Sequence, residues 1–142
     1  MAVQHITPTI DTAAYSTGDV VGGKILIGES NPGLLTSIAI FDDDNEGVQL
    51  DFFFFDGALT GTSGYTNNAA FAVNAADVGK FLGVKSIATT EYFAMGSDKG
   101  GLITPINIPI KSGGVTVIIV IRSTTTFTAA TDLRLTIGIL ES

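Results

Sequence analysis

A chain of 142 residues has the length of one domain. Its net charge of −7, with only seven scattered basic residues, excludes the clustered cationic footprint that nucleic-acid phosphates require. Hydrophobic residues make up 45% of the chain and charged ones 15%, yet the longest strongly apolar run, Val117–Ile121, falls far short of the ~20 residues that cross a bilayer as a helix.

There are no cysteines, so disulfides, thiolate metal sites and cysteine nucleophiles are excluded. The abundance of threonine, glycine (17 residues) and branched or aromatic side chains favours short strands joined by turns. The apolar content exceeds what one small core holds, which points to a homo-oligomer or a docked subunit.

Residues 1–18 carry neither the basic nor the apolar segment of a signal peptide and read as an N-terminal arm. Such an arm can add a strand to a neighbour, with His5, Ile6 and Ile10 as contacts. Residues 19–142 then form a single domain. The stretch "DVVGGKILI" (19–27) is a strand with a bulge at Gly22–Gly23. After the turn "NPG", "LLTSIAIF" (34–41) is the next strand.

"DDDNEG" (42–47) reads as a hairpin turn into "VQLDFFFF" (48–55). Asp42, Asp44 and Gly47 match positions of a calcium loop, but its bidentate glutamate position is occupied by Phe53. Asn45 and Gly47 suit the left-handed conformations of a tight turn. Alternation places Phe52 and Phe54 on one face and Phe53 and Phe55 on the other. Phe41, Phe53 and Phe55 would make the second face apolar, and that face needs a cover: a second layer of the same chain or a subunit contact.

"GALTGTSGYTNN" (57–68) is a long loop and "AAFAV" (69–73) a brief strand. Residues 74–83 form the one helical candidate, capped by Asn74 and ended by Gly83, with Val78, Phe81 and Leu82 as its buried stripe. "VKSIATTEYFAM" (84–95) resumes strand. "LITPINIPI" (102–110) alternates cleanly, but Pro105 and Pro109 remove ladder donors and assign it to an edge or a neighbour contact. "VTVIIVIR" (115–122), apolar on both faces, is central, and "DLRLTIGILE" (132–141) puts Leu133, Leu135, Ile137 and Ile139 on one face. Between them, "RSTTTFTAATD" (122–132) offers Phe127 as an aromatic contact on a polar loop.

The fold expected is all-β: an antiparallel β-sandwich or jelly-roll-like domain of about eight strands with one short helix. Catalytic material is scarce. His5 is the sole histidine, and neither a G-x-S-x-G elbow nor a phosphate-binding glycine loop occurs. Asp51, Asp56 and Glu91 are the only carboxylates suggesting a paired-acid hydrolase, and no tryptophan is present to stack a sugar. No cofactor is expected. The alternative class is a receptor- or glycan-binding module using the loops 57–68 and 122–132.

Four segments, "DTAAYSTGDVVGGK" (11–24), "DDDNEGVQLDFFFFD" (42–56), "NAADVGKFLGV" (74–84) and "VIIVIRSTTTFTAATDLRLTIGILE" (118–141), together resemble small virion structural proteins of tailed bacteriophages, of the head decoration or capsid cement type. The resemblance implies a non-enzymatic β-sandwich, commonly trimeric, folded in the host cytoplasm and seated on the outer capsid surface. There it bridges subunits of the major capsid protein, with no direct contact to nucleic acid or membrane. It carries over no catalytic residue, and under it the alternative reading becomes a receptor- or glycan-binding module of a phage tail or head fibre.

Overall fold

The computed structural model describes residues 1–142 and contains two antiparallel sheets packed face to face. Ten strands occur rather than about eight: β1 (Ala2–Ile6), β2 (Val20–Ile27), β3 (Gly33–Asp42), β4 (Leu50–Asp56), β5 (Phe81–Ile87), β6 (Phe93–Met95), β7 (Asp98–Ile103), β8 (Ile108–Ile110), β9 (Val115–Ile121) and β10 (Leu133–Glu141). One sheet runs β1-β10-β3-β7-β6, with β8 also paired to β3; the other runs β2-β9-β4-β5. No helix is long and apolar enough to cross a membrane.

The main core lies between the sheets. Strand β10 contributes Leu133, Leu135, Ile137 and Ile139, all essentially buried, as its period-2 pattern requires. Strand β9 is buried at every position and sits between β2 and β4, the central place its two apolar faces demand. The Gly22–Gly23 bulge is present: the β2–β9 register shifts between Val21 and Ile25, with both glycines at positive φ.

Several expectations are corrected. The turn 42–47 does not close a hairpin, because β3 and β4 belong to different sheets and the segment is a crossover. Asp42 shapes it, accepting the N–H of Asp44 at 3.0 Å and of Gly47 at 2.8 Å, while Asn45 and Gly47 take φ near +57° and +56°. Residues 69–73 form only an isolated bridge, Asp19 to Ala70.

The helix of residues 74–83 shrinks to a 3-10 turn, Ala75–Lys80, and Phe81 already begins β5. Gly79 weakens the longer helix, and of the expected buried stripe Val78 (61% exposed) and Phe81 (50%) face outward while Leu82 packs on the main core. Residues 84–95 break at a second 3-10 turn, Thr89–Glu91, where the Glu91 carboxylate accepts the Ala88 N–H at 2.7 Å.

The segment 102–110 is likewise two strands. Around the cis peptide at Thr104–Pro105 and Asn107 at positive φ the alternation slips, so Ile103 and Ile106 both point inward and Leu102 outward. Thr36, the extra residue of a bulge opposite Gly138–Ile139, accepts the Ile106 N–H at 3.0 Å across that break. Strand β8, carrying Pro109, does lie at the sheet margin.

The N-terminal segment is not a free arm. Strand β1 pairs with β10 in unbroken one-to-one register, from Ala2 opposite Ile139 to Ile6 opposite Leu135. Further on, Ile10 is buried and donates its N–H to Ala130 O. Tyr15 and Thr125 exchange backbone hydrogen bonds, and the Tyr15 ring stacks edge-on against Phe127 at 6.0 Å. The arm laces onto its own chain, closing the 122–132 loop.

Candidate interaction surface

Apolar side chains cover parts of the outer face of both sheets. On the six-stranded sheet, cross-strand register aligns two rows: His5, Thr136, Ala39 and Leu102 in one, and Arg134, Phe41, Gly100 and Phe93 in the other. Phe93 is 75% exposed, Leu102 57% and Met95 51%, although period-2 alternation on a solvated face calls for polar residues. Together with Phe41 they line an open groove of about 410 Å³. A β-carbon at Gly100 would sit about 2.5 Å from the Met95 sulfur, so a larger residue there would push the flexible Met95 side chain aside.

A second groove of about 260 Å³, lined by His5, Ile6, Thr7 and Leu135, adjoins it through the shared residues Phe41, Arg134 and Thr136. This end is polar. His5 Nδ1 lies 3.1 Å from Thr136 Oγ1, and the exposed Arg134 makes only long contacts, 3.5 Å to Asp43 and 3.4 Å to Thr131 O. Surface pairs of that length contribute little.

The outer face of the four-stranded sheet is mostly covered from within the chain. Phe55, Ile118 and Val120 form a second, smaller core with Leu59 and Tyr65 from the long loop. Phe53 meets Phe71 at 4.8 Å between ring centres. Asp77 pins this cover: its buried carboxylate accepts from Thr60 N–H (2.9 Å), Thr60 Oγ1 (2.6 Å), Gly61 N–H (3.2 Å), Tyr65 OH (2.9 Å) and Lys80 Nζ (3.1 Å). Beyond the cover, Phe53, Val73, Val78 and Phe81 line a third groove of about 330 Å³.

Of the sequence-derived contact candidates, His5, Ile6 and Phe41 converge on the six-stranded face, and Phe53 lies in the third groove. Pro105 and Pro109 are exposed beside the break between β7 and β8. Three cannot serve as contacts. Ile10 is 3%, Phe55 0% and Phe127 1% exposed, because arm, loop and sheet bury one another. The main groove residues Phe93, Met95 and Leu102 were missed. The available signal was the doublet Leu102–Ile103, where alternation forces one apolar residue outward.

Two of the three carboxylates suggested for catalysis are held by the fold, and the third makes only a surface ion pair. Asp51 accepts from Arg122 and from Ser86 Oγ; Asp56 pairs with Lys111 at 3.5 Å; Glu91 caps its own turn. Every buried side-chain nitrogen and oxygen has a hydrogen-bond partner. The loops 57–68 and 122–132 present Tyr65 and Phe127 inward, not to a ligand.

Titration divides the acidic groups into two sets. Desolvation, then the neighbouring Asp44, raises Glu46; desolvation, then Asp43, raises Asp98. The Thr60 hydroxyl and N–H hold Asp77 far below the ordinary carboxylate range, and for Asp51 the Ser86, Arg122 and Gln49 bonds outweigh burial and also lower it. Raised groups contribute stability that is present below their unfolded value and lost as pH rises through the folded one; lowered groups contribute stability lost as pH falls below about 4.

The melting temperature is therefore expected to rise slightly on acidifying from neutral pH and to fall again once the lowered carboxylates are protonated, below about pH 4. Thermal melts across pH check this, and Glu46→Gln with Asp98→Asn should flatten the mild-acid rise. A profile that falls steadily from neutrality would contradict the assignment.

Comparison with protein-family models and with curated proteins finds no match to this chain.

Proposed function

We propose that the chain is a non-enzymatic virion structural protein that decorates the outer capsid surface and bridges neighbouring major capsid protein subunits. The observation that carries this reading is the open apolar groove on the six-stranded face, with Phe93, Leu102 and Met95 all more than half exposed. Aromatic and methionine side chains standing on a rigid sheet are the composition of an interface centre, and a patch rimmed by polar groups marks a contact site. The third groove, on the opposite face of the sandwich, supplies the second contact that a bridging protein needs. The resemblance to capsid cement proteins adds the virion context. Polar side chains committed to holding loops, as at Asp77 and Asp51, suit a mechanical role.

The test is co-sedimentation with capsids assembled without this protein. Wild-type chain is expected to pellet with them, and Phe93→Asp or Leu102→Asp to weaken binding by at least about tenfold, since central apolar anchors dominate such contacts. Both side chains are solvent-facing, so the melting temperature should stay within about 2 °C of wild type. Undiminished binding by both variants, or binding of the wild type to a glycan array and not to capsids, overturns the proposal.

A further inference from the structure

The sandwich has several open strand edges, and all but one are blunted. On β2, Val20 N–H donates to Ala69 O (2.9 Å) and Val20 O accepts from Asn68 N–H (2.7 Å), and the glycine bulge with Lys24 interrupts the rest. Strand β8 carries Pro109, β6 has only three residues, and β5 has a register shift and the exposed Lys85. These are the devices by which natural sheets prevent unwanted pairing.

Strand β1 has none of them. "AVQHI" contains no proline, glycine, bulge, lysine or carboxylate, and its five residues run in uninterrupted register with β10. Its backbone makes hydrogen bonds to no segment other than β10. Val3, on its outer face, is 58% exposed. Two copies of a chain with net charge −7 repel each other except where charge is lacking, and residues 2–6 carry no Asp, Glu, Lys or Arg. Nor is β1 poised to leave its own sheet, because Gln4 Oε1 accepts the Gly28 N–H at 3.1 Å from the inner side.

We infer that β1 is the pairing edge for a second copy of this chain, two β1 strands adding antiparallel about a two-fold axis so that the six-stranded sheets merge into one. An antiparallel pair of identical strands is self-complementary, which a closed two-fold dimer demands. With the axis at Gln4, Val3 of one copy lies opposite His5 of the other, and Ala2 opposite Ile6. The polar grooves beside β1 then adjoin across the axis, leaving the apolar grooves free. The inference does not depend on what those apolar grooves bind.

Sedimentation velocity over a range of micromolar concentrations tests it. The wild type is expected to form a dimer, and Val3→Lys combined with His5→Lys to weaken dimerisation by about tenfold or more, since it sets lysines opposite one another. Leu102→Asp is expected to leave the dimer intact while lowering capsid binding, so the two proposals fail separately.

The absence of native cysteine permits a second measurement should the lysine variant not fold. Val3→Cys and His5→Cys proteins, mixed and oxidised, should cross-link to each other faster than either does to itself. A wild type that is monomeric throughout, a trimer, a dimer indifferent to the lysines, or cross-linking without that preference overturns the inference.

Discussion

Phe54→Ala should remove about 3–5 kcal/mol of stability, a large part of the 5–15 kcal/mol by which a domain of this kind is held together. Phe54 is fully buried in the core between the sheets, opposite Val117 of β9 and Gly83 of β5. Emptying that place strips the ring's contacts and leaves a void that packed strands on both sides cannot collapse into. The melting temperature should fall by roughly 10–15 °C.

Phe53, one residue earlier, points to the other face. It is partly exposed and packs on Phe71 at 4.8 Å, so Phe53→Ala should cost only about 1–2 kcal/mol. Urea titrations of the two variants check the difference. If Phe53→Ala proves as damaging as Phe54→Ala, the outer layer is a principal core rather than a cover.

Asp77→Asn should loosen the cover of the four-stranded sheet without dissolving the sandwich. The carboxylate is the common acceptor for five donors from Thr60, Gly61, Tyr65 and Lys80. An asparagine amide keeps the shape but turns one of the two oxygens into a donor, facing N–H groups that cannot accept and hydroxyls that already accept from Lys80 and from the Asn74 N–H. The backbone of residues 58–65, whose only backbone hydrogen bonds are Tyr65 N–H to Thr62 O and Ala72 N–H to Gly64 O, then opens more often.

Cleavage by thermolysin within that segment is expected to speed up by about tenfold or more, because proteolysis follows the population of the open form. Opening would also uncover Phe55 and Tyr65, so binding of a hydrophobic dye should increase. The core probed by Phe54 should melt only slightly earlier. An unchanged cleavage rate would show that the Phe53, Phe55, Leu59 and Tyr65 contacts hold the segment without the carboxylate.

Much of the architecture was legible because strand alternation is a local signal. The two-faced apolar run of β9 gave its central place, the alternation of β10 its inward face, and Gly22–Gly23 the bulge. What failed was decided by tertiary pairing. "DDDNEG" is an ideal tight turn in isolation, and nothing local says that the strand after it joins the other sheet. Apolar residues at 74–83 have helical spacing, but the pairing of Phe81–Ile87 with β4 takes the last three residues of that segment into a strand.

The doubly apolar face of "DFFFF" correctly signalled a covering layer. Most of that layer is the loop 57–73 of the same chain, and Phe53 stays partly open in the third groove. Phe127 looked like an exposed anchor amid threonines because its partner, Tyr15, lies more than a hundred residues away in sequence. The groove on the six-stranded face escaped notice for the same reason. Phe41, Phe93, Met95 and Leu102 come from three strands and meet only through register.

Cryo-electron microscopy of virions carrying this protein tests the account most directly. Density matching the two-sheet sandwich is expected on the outer capsid, with Phe93, Met95 and Leu102 buried against the major capsid protein. Density confined to the tail, or a sandwich seated on the capsid with those three side chains in solvent, would contradict it.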